Sequence, residues 1–136
     1  MKNEESSLGK DYKDGCIIFE ENSIGKEMYI IISGKVKIVK EKGTVETILA
    51  TLEEGEFFGE MSLFDNNPRS ATVKAIGNIK LLEINQKDFL KRISNDPSLA
   101  FRILEKMSQR IRQTDEKLLD HVLEMNNLCK DFHIFT

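Results

Sequence analysis

One stretch of the chain collects residue types that can hold an anion: Glu56-Phe57-Phe58-Gly59-Glu60-Met61-Ser62-Leu63-Phe64-Asp65-Asn66-Asn67-Pro68-Arg69-Ser70-Ala71-Thr72. In the eleven residues from Gly59 to Arg69 it places a glycine, a carboxylate, a short apolar segment, a polar loop and an arginine. Arginine presents two parallel donors that match a pair of phosphate oxygens. Ionised Glu60 only accepts hydrogen bonds, so its natural partner is a hydroxyl, such as that of a ribose. Gly59 lets the backbone approach a ligand closely. Met61-Ser62-Leu63-Phe64 can form one helical turn whose backbone N–H groups point back toward Gly59 and attract anions. Spacing alone leaves a second reading open, in which Glu60 and Arg69 share one small pocket and simply pair with each other.

The elements that must position these residues fall into two regimes. From about Gly15 to Asn85 the chain reads as short strands rich in β-branched and aromatic residues. These are Cys16–Phe19, Met28–Ser33, Lys35–Glu41, Val45–Leu52, Arg69–Ile76 and Ile79–Ile84. Ser33-Gly34, Lys42-Gly43, Glu54-Gly55 and Gly77-Asn78 stand between them as turn signals. Alternation in Lys35–Lys40 and Thr72–Ile76 predicts sheets with one wet face. Many short antiparallel strands without helices between them predict a mainly β fold, a sandwich, jelly roll or barrel. After Ile84 the period changes. Asn85 is placed to cap a short helix, with Asp88 three residues on, to about Ile93. Asp96 followed by Pro97 starts a second, long helix, from Pro97 to roughly Leu128.

That long helix carries Leu104, Met107, Ile111, Thr114, Leu118, His121, Met125 and Leu128 at alternating spacings of three and four, a heptad seam with two polar members. One reading packs the seam along the chain's own barrel, with Ala100 and Ile103 meeting it near the start. The other pairs it with a second copy, because so long a helix would leave its far half exposed. The expectation is a homodimer through residues 104–128.

Bulk properties exclude several classes. The 136 residues suit one domain with a real core, at 40% hydrophobic and 32% charged content. No apolar run is long enough to cross a bilayer, and Met1–Ser7 is polar, unlike a secretory signal. Net charge is −3, from 20 basic and 23 acidic residues, without a basic stripe beyond Arg102–Arg112. Nucleic-acid binding by this chain alone is therefore not expected. Cys16 and Cys129 have neither metal-ligand nor disulfide spacing, which points to the cytoplasm. A metal centre of the cupin kind needs several ligands on strands, and His121 and His133 both lie beyond them. No Ser-His-Asp arrangement is placed for catalysis. Neither an enzyme nor a cofactor is expected.

Both halves of the Glu56–Thr72 stretch resemble the phosphate-binding cassette of cyclic-nucleotide-binding domains, in which Phe-Gly-Glu opens the cassette and Arg-x-Ala closes it. Ile24–Val36 is similar to the strand and glycine turn before that cassette, and Asp88-Phe89-Leu90 with the long helix to the segment after it. The resemblance covers about 110 residues, Gly15 to about Met125. It implies an antiparallel β jelly-roll barrel followed by a short helix and a long C-terminal helix. In domain terms these are a polar segment 1–14, a ligand-binding core 15–94 with its cassette at 57–72, and a dimerisation helix and tail 95–136. The implied ligand is cyclic AMP or cyclic GMP. Arg69 would hold the cyclic phosphate and Glu60 would accept from the ribose 2′-hydroxyl. Phe58, Gly59, Met61 and Ser62 would shape the turn and its backbone contacts. Ser70 and Ala71 would close the cassette, Ser70 with a hydroxyl for phosphate. Ile38 and Leu49 fall where relatives line the base and sugar pocket, and each also reads as ordinary barrel core.

Gln113-Thr114-Asp115-Glu116-Lys117 matches a run in the family's transcription activators in which Thr and Ser lie near the adenine. Thr114 is thereby placed at the base, or is a tolerated seam residue. Asp115 replaces the serine and puts the contact from a second subunit in doubt. Members usually carry a longer helical segment before the first strand, and the transcription factors carry a helix-turn-helix domain after the long helix. A whole protein of this length would act through a protein–protein event. A fragment would serve a larger regulator, kinase or channel, and a barrel that has lost its ligand would act only as a dimerisation scaffold.

Overall fold

The computed structural model describes residues 9–131. Residues 1–8, the tail 132–136 with His133, and the side chains of Leu128, Cys129, Lys130 and Asp131 lie outside the described residues. Six strands come first: β1 Lys10–Tyr12, β2 Ile17–Phe19, β3 Met28–Lys42, β4 Val45–Glu53, β5 Phe57–Phe58 and β6 Thr72–Ile84. A 3₁₀ turn, Glu60–Leu63, sits between β5 and β6, and two helices follow, α1 Gln86–Asn95 and α2 Ser98–Asp131. The mainly β architecture with two trailing helices is the one expected. The chain divides after Leu90 into two compact units, a β-rich one and a helical one.

All strand pairs in the β-rich unit are antiparallel, with β6 and β3 at the centre: β1 and β2 pair β6, while β4 and β5 pair β3. Two expectations are corrected here. Met28–Ser33 and Lys35–Glu41 are one strand, and so are the two segments on either side of Gly77-Asn78. Register between β3 and β6 shifts at Ile31/Ser33 and again at Ser33/Lys35. The glycines thus mark an irregularity where two long strands bend together, instead of turns that end them. The strand β1 lies ahead of the first strand expected, Cys16–Phe19. It is three residues long and mostly exposed, so it carries no alternation to read.

Alternation does explain which residues form the core. Tyr29, Ile31 and Val36 of β3, Leu52 of β4, Phe58 of β5, and Val73, Ala75, Ile79 and Leu81 of β6 form one buried cluster. Branched side chains at these positions are stiff in extended backbone and lose little freedom on packing. On the wet face, Glu46 bridges Lys37 at 2.8 Å and Lys74 at 2.7 Å, and Lys74 also meets Glu41 at 2.9 Å. Hydrogen bonds from Lys37 and then Lys74 hold the Glu46 carboxyl below its ordinary value.

Both helix starts are capped as their sequences predict. Asn85 Oδ1 accepts from the Asp88 N–H at 2.8 Å. Asp96 Oδ1 accepts from the Ser98 N–H at 3.2 Å and from the Ser98 hydroxyl, and these bonds keep its carboxyl below the ordinary value. The first turn of α1 is tied to the 3₁₀ turn. Gln86 Nε2 donates to the Leu63 carbonyl at 2.9 Å, and Phe89 meets Phe64 edge-on at 5.8 Å.

Candidate functional site

Extended β5 ends at Phe58, buried at 2% exposure and paired with Tyr29 of β3. The chain then reverses at Gly59, whose φ of 78° lies in the left-handed region that side chains avoid. The reversal starts the 3₁₀ turn, which buries Glu60, Ser62 and Leu63 and leaves Met61 exposed. After the loop through Pro68, Arg69 arrives beneath the turn, and Ala71 and Thr72 lead, buried, into β6.

Arg69 is the centre of the arrangement, with 4% exposure. Its Nη1 donates to Ser62 Oγ at 2.8 Å and more weakly to the Gly59 carbonyl at 3.4 Å. Nη2 faces Glu27 Oε1 at 3.5 Å, and Nε is buried with no hydrogen-bond partner among the described residues. The guanidinium carbon lies 4.0 Å from the centroid of the Phe19 ring. Burial pulls the group below its ordinary pKa, while Tyr29, Glu27 and Glu83 act in the opposite direction. A cation so deeply placed, with one long carboxylate contact and one idle donor, is under-compensated. An anion with several acceptor oxygens would complete it.

The loop between β2 and β3, residues 20–27, holds this arginine; in the sequence its second half, Ile24–Glu27, falls within the family likeness but is given no role at the site. The Asn22 N–H donates to the Arg69 carbonyl at 2.7 Å, and the Arg69 N–H donates to the Ser23 carbonyl at 2.8 Å. Asn22 adopts a φ of 72°, a conformation that asparagine tolerates better than most residues. Gly25 leaves the guanidinium its space, because a Cβ there would lie 2.7 Å from Nε. A Cβ at Gly59 would lie 2.9 Å from Nη1 on the other side.

Of the residues named from sequence, the structure joins Gly59, Ser62 and Arg69 by direct bonds. Glu60 is nearly buried beside them in the chain at 9% exposure, whereas Ser70 is exposed. Ile38 is half-buried against the core and pairs with Ala50. Leu49 is the extra residue where the β3–β4 register shifts, and it is 49% exposed, so a place in the core is corrected. Thr114, in the helical unit, is exposed and donates its hydroxyl to the Arg110 carbonyl at 2.9 Å. Its hydroxyl is therefore satisfied within α2. Among the described residues no group of three His, Cys, Asp or Glu is placed to hold a metal ion. No described helix is long and apolar enough to cross a membrane.

Comparison with known proteins gives a consistent result. A family model described as cyclic nucleotide-binding domain matches residues 9–96. The chain is 36% identical over 108 residues to the cyclic AMP receptor protein of Thermus thermophilus, covering 79% of this chain and 50% of that protein. It is 35% identical over 80 residues to the cAMP-dependent protein kinase regulatory subunit of Mucor circinelloides, covering 59% of this chain and 19% of that protein. The crystal structure of the Thermus thermophilus catabolite activator protein matches with a TM-score of 0.72 at 33% identity, over 86% of this chain and 56% of that one. The chain spans about half the length of its Thermus relative, at 50%.

Proposed function

The chain belongs to the cyclic nucleotide-binding domain family, and from that premise we propose that it is a regulatory module that binds cyclic AMP or cyclic GMP without hydrolysing it. The observation that carries this reading is the under-compensated Arg69, buried with an unpartnered Nε. A cyclic phosphate supplies exocyclic oxygens to that guanidinium. Glu60 accepts from the ribose 2′-hydroxyl, and Gly59, Met61 and Ser62 offer backbone contacts after Phe58. Ser70 and Ala71 close the cassette, while Ile38 and the exposed Leu49 border the sugar and base.

Output passes through α2. Leu104, Ile111, Leu118 and Met125 are between 53% and 63% exposed, a row of large apolar side chains at heptad spacing. A second copy packed in parallel along 104–128 covers them, making the chain a homodimer. Thr114 lies in the same row, and a base that reaches it links ligand binding to the helix arrangement. A scaffold that has lost its ligand would keep the dimer and bind nothing. Titration calorimetry with cyclic AMP, cyclic GMP and the linear 5′-monophosphates separates the two. Saturable binding of at least one cyclic nucleotide is expected, and heat from none of them would contradict the reading.

A further inference from the structure

Phe19 lies at the end of β2, opposite Val73 of β6, and its ring is fixed by two others. Tyr29 is 6.0 Å away and Phe58 5.8 Å away between ring centroids, and those two stack on each other at 5.2 Å. Arg69 rests on this three-ring platform, its guanidinium carbon 4.0 Å from the Phe19 centroid. That distance is well inside the roughly 6 Å over which a ring face attracts a cation. Burial strengthens such an attraction, because no water competes for the charge.

What the ring leaves untouched matters most. A guanidinium carries all its N–H donors in its plane, and a ring against its face engages none of them. A bidentate carboxylate would also neutralise the buried charge, but it would occupy the same edge a phosphate needs and would have to be displaced. Among the described residues the carboxylate ion pair to Glu27 is long at 3.5 Å, and Nε has no hydrogen-bond partner. Gly25 and Gly59 lie close against the guanidinium edges, where a Cβ would come 2.7 Å from Nε and 2.9 Å from Nη1 respectively. The ring thus steadies the arginine by its face without engaging any of its N–H donors.

We propose that Phe19 is a positioning residue for the anion site, holding Arg69 flat so that its in-plane donors are directed to a phosphate. The inference rests on reading the Arg69 pocket as that of a cyclic phosphate. Its consequence is quantitative. If the stacked arrangement is only a fraction of the population, apparent affinity falls by that fraction.

The test replaces Phe19 in the full chain with 4-fluoro-, 3,5-difluoro- and 3,4,5-trifluorophenylalanine, which drain the ring face of negative charge while nearly keeping its shape. Calorimetry with cyclic AMP and cyclic GMP should show affinity falling step by step with fluorine count, about three- to tenfold in all, within the range a cation–ring contact spans. Thermal midpoints should stay together across the series. In the free wild-type protein, the Arg69 Hε resonance should carry an upfield ring-current shift that Phe19→Leu removes. A ring serving only as core filler gives no graded response. Affinity indifferent to fluorination, or an unshifted Arg69 Hε in wild type, overturns this inference alone. Absence of cyclic-nucleotide binding by wild type overturns the functional reading, and this inference with it.

Discussion

Around Arg69 the β-rich unit buries a positive charge at 4% exposure against a ring, a hydroxyl and one carboxylate 3.5 Å away. Along α2 the helical unit does the reverse, leaving Leu104, Ile111, Leu118 and Met125 more than half exposed. The first region buries a cation whose Nε has no hydrogen-bond partner among the described residues, and the second exposes a row of large apolar side chains. Each deficit names its partner by chemistry. A buried cation attracts a compact group rich in acceptor oxygens, while a heptad row of aliphatic side chains fits another helix. On the proposed function, the same chain presents a small-molecule site and a protein-binding face that differ in salt, charge and size dependence.

The largest effect expected is on the second region. Replacing Ile111 and Leu118 together with Lys would place two unpaired charges in the seam, each costing about 3–5 kcal/mol if buried. Sedimentation should show monomers at concentrations where the wild type is dimeric, with nucleotide still bound but more weakly, as reciprocal coupling requires. A wild-type chain that is itself monomeric at high micromolar concentration would break the comparison on this side.

On the first side, Arg69→Ala removes charge-assisted bonds that contribute about 1.5–3 kcal/mol each. Calorimetry should report affinity reduced by about tenfold to a hundredfold or more, with the dimer unaffected. Unchanged affinity would mean that the anion is held elsewhere. Gly25→Ala tests the same pocket through its walls. The new Cβ meets the guanidinium, so the variant should be destabilised by about 1–3 kcal/mol, as overpacked sites are. It should also bind nucleotide less tightly, as thermal unfolding with and without ligand would show.

The smallest effect concerns Thr114, which the proposed function gives a part in both the seam and ligand binding. Its hydroxyl donates to the Arg110 carbonyl on its own helix, so Thr114→Val keeps the shape without stranding a partner that depends on it. Nucleotide affinity should fall a few-fold, by about 0.5–1.5 kcal/mol. The ligand's effect on dimer dissociation, expected in the range of about 1–3 kcal/mol for coupled sites, should shrink. Equal ligand effects in both variants would show that the signal leaves the pocket by another route.

The sequence exposes these regions unequally, for a physical reason. Gly59, Ser62 and Arg69 stand close enough in the chain for residue type and spacing to suggest a shared anion site, and the structure bonds them to one another. Asn85 and Asp96 announce their helices because capping is local. Ser33-Gly34 and Gly77-Asn78 mislead as turns because a bulge uses the same residues, and only pairing across β3 and β6 distinguishes the two. Phe19, Asn22, Gly25 and Glu27 acquire their roles from Arg69, more than forty residues away in the chain. Nothing in their own neighbourhood states that role, although the glycine at position 25 was visible within a stretch of family likeness. Leu49 reads as core by its type and is exposed because the register shift gives β4 one residue too many.

The most direct test of a phosphate landing on Arg69 is NMR observation of its guanidinium N–H resonances during titration with cyclic AMP and cyclic GMP. Binding should move the Arg69 Hε signal downfield and slow its exchange, as an unpartnered buried donor gains a charged acceptor. Saturable binding that leaves every Arg69 resonance where it was would contradict the assignment of this pocket.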